Sequence, residues 1–201
     1  MSKNFIGAEE LTSIASKMNL SVKALNEASI PYIPYSEQQL QQHKTTHLLI
    51  LAVPFIENGA SLNLMELRNF FGLNPDEKEP CFYNQDWYVK EEFVQKGFED
   101  YQWFLIKKEL IDDSRAKEIN VETDLKNLPS ALICAFSFFA YFFHANEYLW
   151  KNDFVWCSDT DANGDRIYVG RYFDSSGIAK NGFSIHRHLR LRNNYGCINC
   201  I

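Results

Sequence analysis

The sequence predicts an α+β fold, in which N-terminal helices and one long Phe-rich core helix pack on a mainly antiparallel sheet with a C-terminal β-meander. Two observations predict this class. An apolar run covers residues 131–143 and is broken only by Ser137. Beyond this region the hydrophobic period changes from about 3.6 residues, typical of helices, to about 2, typical of strands. An α+β domain is expected when helices come first along the chain and antiparallel strands come last.

Length and composition predict a single domain over residues 1–201, with residues 153–201 as the meander. Residues 1–35 could form a small helical appendage. The chain has 201 residues, of which 46% are hydrophobic and 16 are Phe, enough to bury a core without disulfides or a bound metal. The five cysteines are scattered and the N-terminus lacks a long apolar core, which predicts reduced thiols and a soluble, cytoplasmic protein.

The N-terminal region is predicted to contain two short helices within residues 8–28. Leu11, Ile14 and Met18 share one helical face, and Ser21 can cap the second helix after a turn. The Pro-Tyr-Ile-Pro sequence at residues 31–34 excludes a helix there. The polar residues 36–44 form either a linker or an exposed helix.

Short apolar and charged segments alternate in the middle of the chain. The predicted elements are a buried strand at residues 47–53, a helix at 62–71, a charged loop at 75–80, a helix at 86–96 and a short strand at 103–106. Pro54 ends the first of these strands, and Gly72 ends the first of these helices.

The longest helix is predicted over residues 129–150, with Pro129 at its first position. Its apolar run is shorter than the roughly 20 residues needed to cross a bilayer, so we expect a buried core helix and no membrane contact. The strands of the meander are predicted at residues 154–157, 166–173 and 178–185.

The C-terminal tail holds a candidate metal site formed by His186, His188, Cys197 and Cys200. Zinc takes two His and two Cys ligands in a tetrahedral site, and the two histidines would share one face of a strand. Zinc is the cofactor that this cluster suggests. A lone C-x-x-C without a second ligand pair of the usual kind is a weak signal, however, and an ordinary basic surface strand is the favoured interpretation.

An acidic turn is the second candidate metal site. Asp159, Asp161, Asn163 and Asp165 match the first half of a calcium loop, which could also take magnesium. The twelfth position is Gly170, where such a loop needs a bidentate Glu. Acidic residues with Asn-Gly are also typical of a hairpin turn, which is the favoured interpretation.

Two further patterns have functional and structural interpretations. Residues 8–28 have the spacing of a helix-turn-helix, with Lys23 and Asn26 available for a DNA groove and Glu27 unfavourable there. An ordinary pair of amphipathic helices gives the same pattern. His144 and Glu147 share a helical face and form either an acid–base pair or, as we favour, a structural ion pair.

Charge is distributed unevenly along the chain. The net charge is −6, which argues against a general nucleic-acid binder. After Asp174, however, there are four cations and no carboxylate side chain, so the tail carries +4 and the remainder −10. Function is therefore expected in residues 155–201, with Arg187, Arg190 and Arg192 contacting a partner.

The favoured function is a non-catalytic binding or interaction domain that works through its C-terminal β region. Its partner would be another protein or a second copy of the chain, ahead of nucleic acid. The alternative is a metal-dependent hydrolase that uses the acidic turn or the tail cluster, with metal-bound water as the nucleophile. The third hypothesis is a helix-turn-helix DNA-binding regulator built on residues 8–28.

Overall fold

A computed structural model describes residues 2–27, 29–117, 119, 128–173, 175–176, 181–187 and 191–201. The helices of this part of the chain are α1 (Ala8–Met18), α2 (Val22–Glu27), α3 (Glu37–His43), α4 (Leu64–Phe71) and α5 (Ala131–Ala145). Its strands are β1 (Phe5–Ile6), β2 (His47–Ala52), β3 (Gln102–Lys107), β4 (Phe154–Thr160), β5 (Arg166–Tyr172), β6 (Gly182–His186) and β7 (Tyr195–Gly196). The α+β class is confirmed.

The first sheet has the order β1-β2-β3, with β1 parallel and β3 antiparallel to the central β2. All six residues of β2 are buried, as its Leu- and Ile-rich sequence predicts. Residues 199–201 continue this sheet beyond β3. The amide of Lys107 donates to the carbonyl of Asn199 (3.1 Å), and the amide of Ile201 donates to the carbonyl of Leu105 (3.0 Å). The end of the chain thus packs beside its N-terminal sheet.

The second sheet has the order β6-β5-β4-β7 and contains the predicted meander. Strands β4, β5 and β6 are antiparallel neighbours, and β7 lies parallel to β4. At Gly170 of β5, an added Cβ would lie 2.2 Å from the carbonyl oxygen of Asp153, so only glycine allows this close approach.

Helix α5 is the centre of the core and contacts strands of both sheets. Its first eleven residues are buried, and Phe139 stacks on Phe71 of α4 with ring centroids 3.8 Å apart. Ser130 caps its first turn by accepting from the amide of Ile133 (3.2 Å). Asn146 adopts the left-handed conformation and ends the helix, which is therefore shorter than the predicted 129–150.

The predicted helix at residues 86–96 is wrong. This segment consists of turns and a 3-10 helix at Glu92–Val94. Trp87 explains the difference, because its indole Nε1 donates to the carbonyl of Ile185 in β6 (3.0 Å) and its ring lies under the guanidinium of Arg187. These tertiary contacts outweigh a weak local helical preference.

Strand β1 has only two residues, which are too few to show a hydrophobic periodicity, so the sequence does not predict it.

The polar residues 36–44 form the exposed helix, α3, rather than a linker. Ser36 caps it, and the Ser36 side chain accepts from the amide of Gln39 (3.3 Å).

Throughout the described ranges, no helix combines the length and the apolar character needed to span a membrane.

Candidate functional site: a groove between α3 and the first sheet

A groove of about 650 Å³ lies between α3 and the face of the first sheet that is turned away from the core. Its floor is a row of apolar side chains from three strands, because Phe5 of β1 pairs with Leu49 of β2, and Leu49 pairs with Leu105 of β3. Leu40 of α3 and Ile33 complete the apolar lining. The polar residues around it are Ser2, Asn4, Glu37, Gln41, His43, Lys44 and His47. The volume lies within the range of small-molecule sites.

Strand periodicity explains why the floor is apolar. Leu48 and Ile50 point into the main core, so Leu49 between them must point to the opposite face. The exposed fraction is only 7% for Leu49 and 3% for Leu105, whereas Phe5 is half-buried. We call Phe5, Leu49 and Leu105 the apolar row, and the whole hollow the α3 groove.

Helix α3 is attached to the first sheet by hydrogen bonds next to its two ends. Before its start, the Tyr35 hydroxyl donates to the carbonyl of Trp103 in β3 (3.1 Å). After its end, the amide of the Asn4 side chain donates to the carbonyl of Lys44 (2.8 Å). None of the seven described residues of α3 is buried. Its sequence, with Leu40 as the one apolar residue, cannot drive the helix down onto the sheet.

His43 and His47 form a ring pair at one end of the groove, with centroids 4.2 Å apart. Burial lowers the pKa of His47 to about 4, and the neighbouring His43 acts in the same direction. His47 is therefore neutral at pH 7. With the proton on Nε2, it donates to Asn199 Oδ1 (3.2 Å) and its Nδ1 accepts from Thr46 Oγ1 (2.8 Å). Both ring nitrogens are thus engaged in holding the sheet.

The predicted tail cluster is divided between separate surroundings. His186 packs against the rings of Phe154 and Tyr168, and burial lowers its pKa to about 4. Cys197 belongs to the smaller apolar cluster around Phe154, whereas Cys200 packs against the main core. Burial and the neighbouring Cys134 raise the pKa of Cys200 to about 12, which keeps its thiol protonated. His188 lies outside the described residues.

The acidic turn has structural partners for its carboxylates. Asp159 Oδ2 accepts from the amide of Ala131 at the start of α5 (2.6 Å), and burial raises its pKa. Asp161 Oδ1 accepts from the amides of Asn163 (2.9 Å) and Asp165 (2.8 Å), as in the hairpin-turn interpretation. In the described part of the chain, no group of three or more His, Cys, Asp or Glu residues is arranged to hold a metal ion.

The three tail arginines differ in their surroundings. Arg187 pairs with Asp161, lies 3.6 Å from the carboxylate of Glu91 and covers the ring of Trp87 at 4.4 Å. It therefore joins the acidic turn to the segment before Glu92–Val94. Arg192 is exposed, and Arg190 lies outside the described residues.

The other two sequence patterns are also located. Helices α1 and α2 occupy residues 8–27, as both interpretations of this pattern predict, and both Lys23 and Asn26 are exposed on α2. Glu147 pairs with Lys3 and accepts from the Tyr141 hydroxyl (3.3 Å), so the partners that the structure gives this carboxylate differ from the expected His144.

Sequence reasoning missed the α3 groove because its lining comes from three separate segments, residues 2–5, residues 33–49 and Leu105. The one local signal was residues 36–44, a polar helix with a single leucine directly after a Pro-Tyr-Ile-Pro sequence. Comparisons of the chain with protein-family models, with curated proteins and with solved structures find no match.

Proposed function

We propose that this protein is a non-catalytic binding protein that takes a small apolar molecule into the α3 groove. One observation carries the proposal: the apolar row lies under a helix whose described residues are all at least partly exposed. A hollow of about 650 Å³ between an apolar floor and an exposed helix is the arrangement of a ligand site rather than of a packed core.

The length of the apolar chain sets the expected affinity. Each methylene buried from water contributes about 0.8 kcal/mol, so a chain of about twelve carbons contributes roughly 10 kcal/mol. Association costs about 4 kcal/mol or more. The difference, about 6 kcal/mol or less, corresponds to a dissociation constant of roughly 50 μM or weaker.

His47 is unsuited to act as a general base in the groove. A general base in the groove would need a ring nitrogen free to face the ligand, and both nitrogens of His47 already have partners. As part of the same proposal, we expect the protein to act in the cytoplasm, where its five free cysteines would stay reduced.

The test uses N-phenyl-1-naphthylamine, an uncharged apolar dye whose emission rises when it leaves water. We expect saturable binding with one dye per chain. Leu40→Glu should weaken it at least tenfold, because the change places a charge in the apolar roof. Gln42→Glu is the matched control, since it adds the same charge on an exposed position of α3 outside the groove lining. Absence of saturable binding, or equal binding by both variants, would refute the proposal.

A second candidate role is contact with a protein partner, or with a second copy, through the C-terminal β region. Tyr172 and Phe173 at the end of β5 are 38% and 49% exposed and border a hollow of about 500 Å³ together with Arg192. Exposed aromatic residues beside an arginine are enriched in interfaces. If self-association occurs here, Phe173→Ser should lower the sedimentation coefficient at high protein concentration. An unchanged monomeric coefficient for both proteins would exclude the second copy as the partner.

A further inference from the structure

The α3 groove has a basic end, and this polarity indicates the chemistry of its ligand. His43 and Lys44 lie at the C-terminal end of α3, and Lys107 pairs with His47 in the register of β2 and β3. Directly paired residues of an antiparallel ladder share one face, so Lys107 projects to the same face as His47.

The other end of the groove is different. Glu37 lies at the first position of α3 and Ile33 just before the helix. The groove thus has an acidic end and a basic end, separated by the apolar row.

The lysines at the basic end are available to a ligand. Within the described residues, neither Lys44 nor Lys107 takes part in an ion pair with a carboxylate. Lys44 is exposed and Lys107 is half-buried. On a chain with a net charge of −6, these two uncompensated lysines, Lys44 in the groove lining and Lys107 beside His47, form a local positive field that attracts anions.

We infer that the ligand of the α3 groove is a medium-chain aliphatic carboxylate, with its head group at Lys44 and Lys107 and its chain over Phe5, Leu49 and Leu105. This inference rests on the proposed function. It goes further by fixing the charge of the head group and the direction in which the chain lies. A cationic head group would be repelled by the lysines, and a neutral one would leave them without a partner.

The test compares three ligands of equal chain length by displacement of N-phenyl-1-naphthylamine: dodecanoate, dodecan-1-ol and dodecyltrimethylammonium. We expect dodecanoate to bind at least about fivefold more tightly than dodecan-1-ol, and dodecyltrimethylammonium to bind most weakly. The preference for dodecanoate should shrink as the salt concentration rises, because the lysines are partly exposed.

Variants locate the head group. Lys44→Gln combined with Lys107→Gln should reduce the affinity for dodecanoate to that for dodecan-1-ol. Lys23→Gln, on the exposed surface of α2, removes the same charge away from the groove and should keep the preference.

The outcomes separate the two proposals. If the dye binds but dodecanoate and dodecan-1-ol displace it equally well, the inference about the head group is wrong and the groove remains a binding site. If dodecanoate is preferred but the double lysine variant keeps that preference, the head group lies elsewhere and the inference is also wrong. If the dye does not bind at all, both proposals fail.

Discussion

Two histidines are held neutral by burial, and each is part of a different sheet. His47 lies in β2 with both ring nitrogens bonded, and His186 ends β6 against Phe154 and Tyr168. For each, burial lowers the pKa from 6.5 to about 4. The unfolded chain, in which both would titrate near the ordinary value, therefore binds protons before the folded one as the pH falls.

We expect these two histidines to lower the free energy of unfolding as the pH falls from about 6.5 to about 4, a contribution that levels off below the folded-state pKa. A shift of this size corresponds to at most about 3 kcal/mol for each histidine. His47→Gln should flatten the decrease measured by urea unfolding at several pH values. Gln42→Ala, an uncharged change at an exposed position, is the control, and should follow the wild-type slope. A slope for His47→Gln equal to that of the wild type would contradict this assignment.

Single residues show what could not be predicted from the sequence. His186 and Asp161 were both singled out as ligands because their types and spacing suit metals. Their surroundings come from elsewhere in the chain: the ring of Phe154 for His186, and the guanidinium of Arg187 for Asp161. Spacing in the sequence identifies residues that could bind a metal. It does not show which distant residues contact them in the folded chain.

Among the elements, α5 shows how a residue of a distant strand can help to cap a helix. The apolar run predicted the helix, and Ser130 is its local N-cap. Asp159 of β4 adds a second acceptor at the same end, on the amide of Ala131. Twenty-eight residues separate the two, so only the packing of β4 beside the helix start brings them together.

Asp159→Ala should lower the free energy of unfolding by about 1 to 2 kcal/mol, because it leaves the amide of Ala131 without its acceptor. Asp159→Asn should lie within about 1 kcal/mol of the wild type, since its amide oxygen can still accept and burial already disfavours the charge. Urea unfolding at neutral pH provides the measurement, with the exposed Asp113→Ala as a control. Equal losses for the Ala and Asn variants would show that the charge, rather than the hydrogen bond, is what matters.

Helix α3 marks the limit of prediction from local patterns. Residues 36–44 fitted a linker or an exposed helix, and the helix formed because Ser36 and Gln39 cap it. Strong periodicities predicted β2, α4, α5 and the meander. The helix predicted over residues 86–96 does not form, because Trp87 contacts the second sheet instead.

At the scale of the whole molecule, the sheet beneath the α3 groove joins segments that are far apart in the chain. Residues 199–201 extend the first sheet beside β3, and Asn199 holds His47. The tail was expected to carry function through its metal-ligating types and its charge. In the structure its last residues instead border the sheet whose outer face forms the groove floor, a long-range pairing that no local signal contains.

The central claim is that the space between α3 and the apolar row is a ligand site. A crystal structure of the protein with dodecanoate tests it most directly. We expect the alkyl chain between Leu40 and the row of Phe5, Leu49 and Leu105, with the carboxylate near Lys44. A structure in which α3 lies against the sheet with no space beneath it, or in which dodecanoate is bound elsewhere, would contradict the claim.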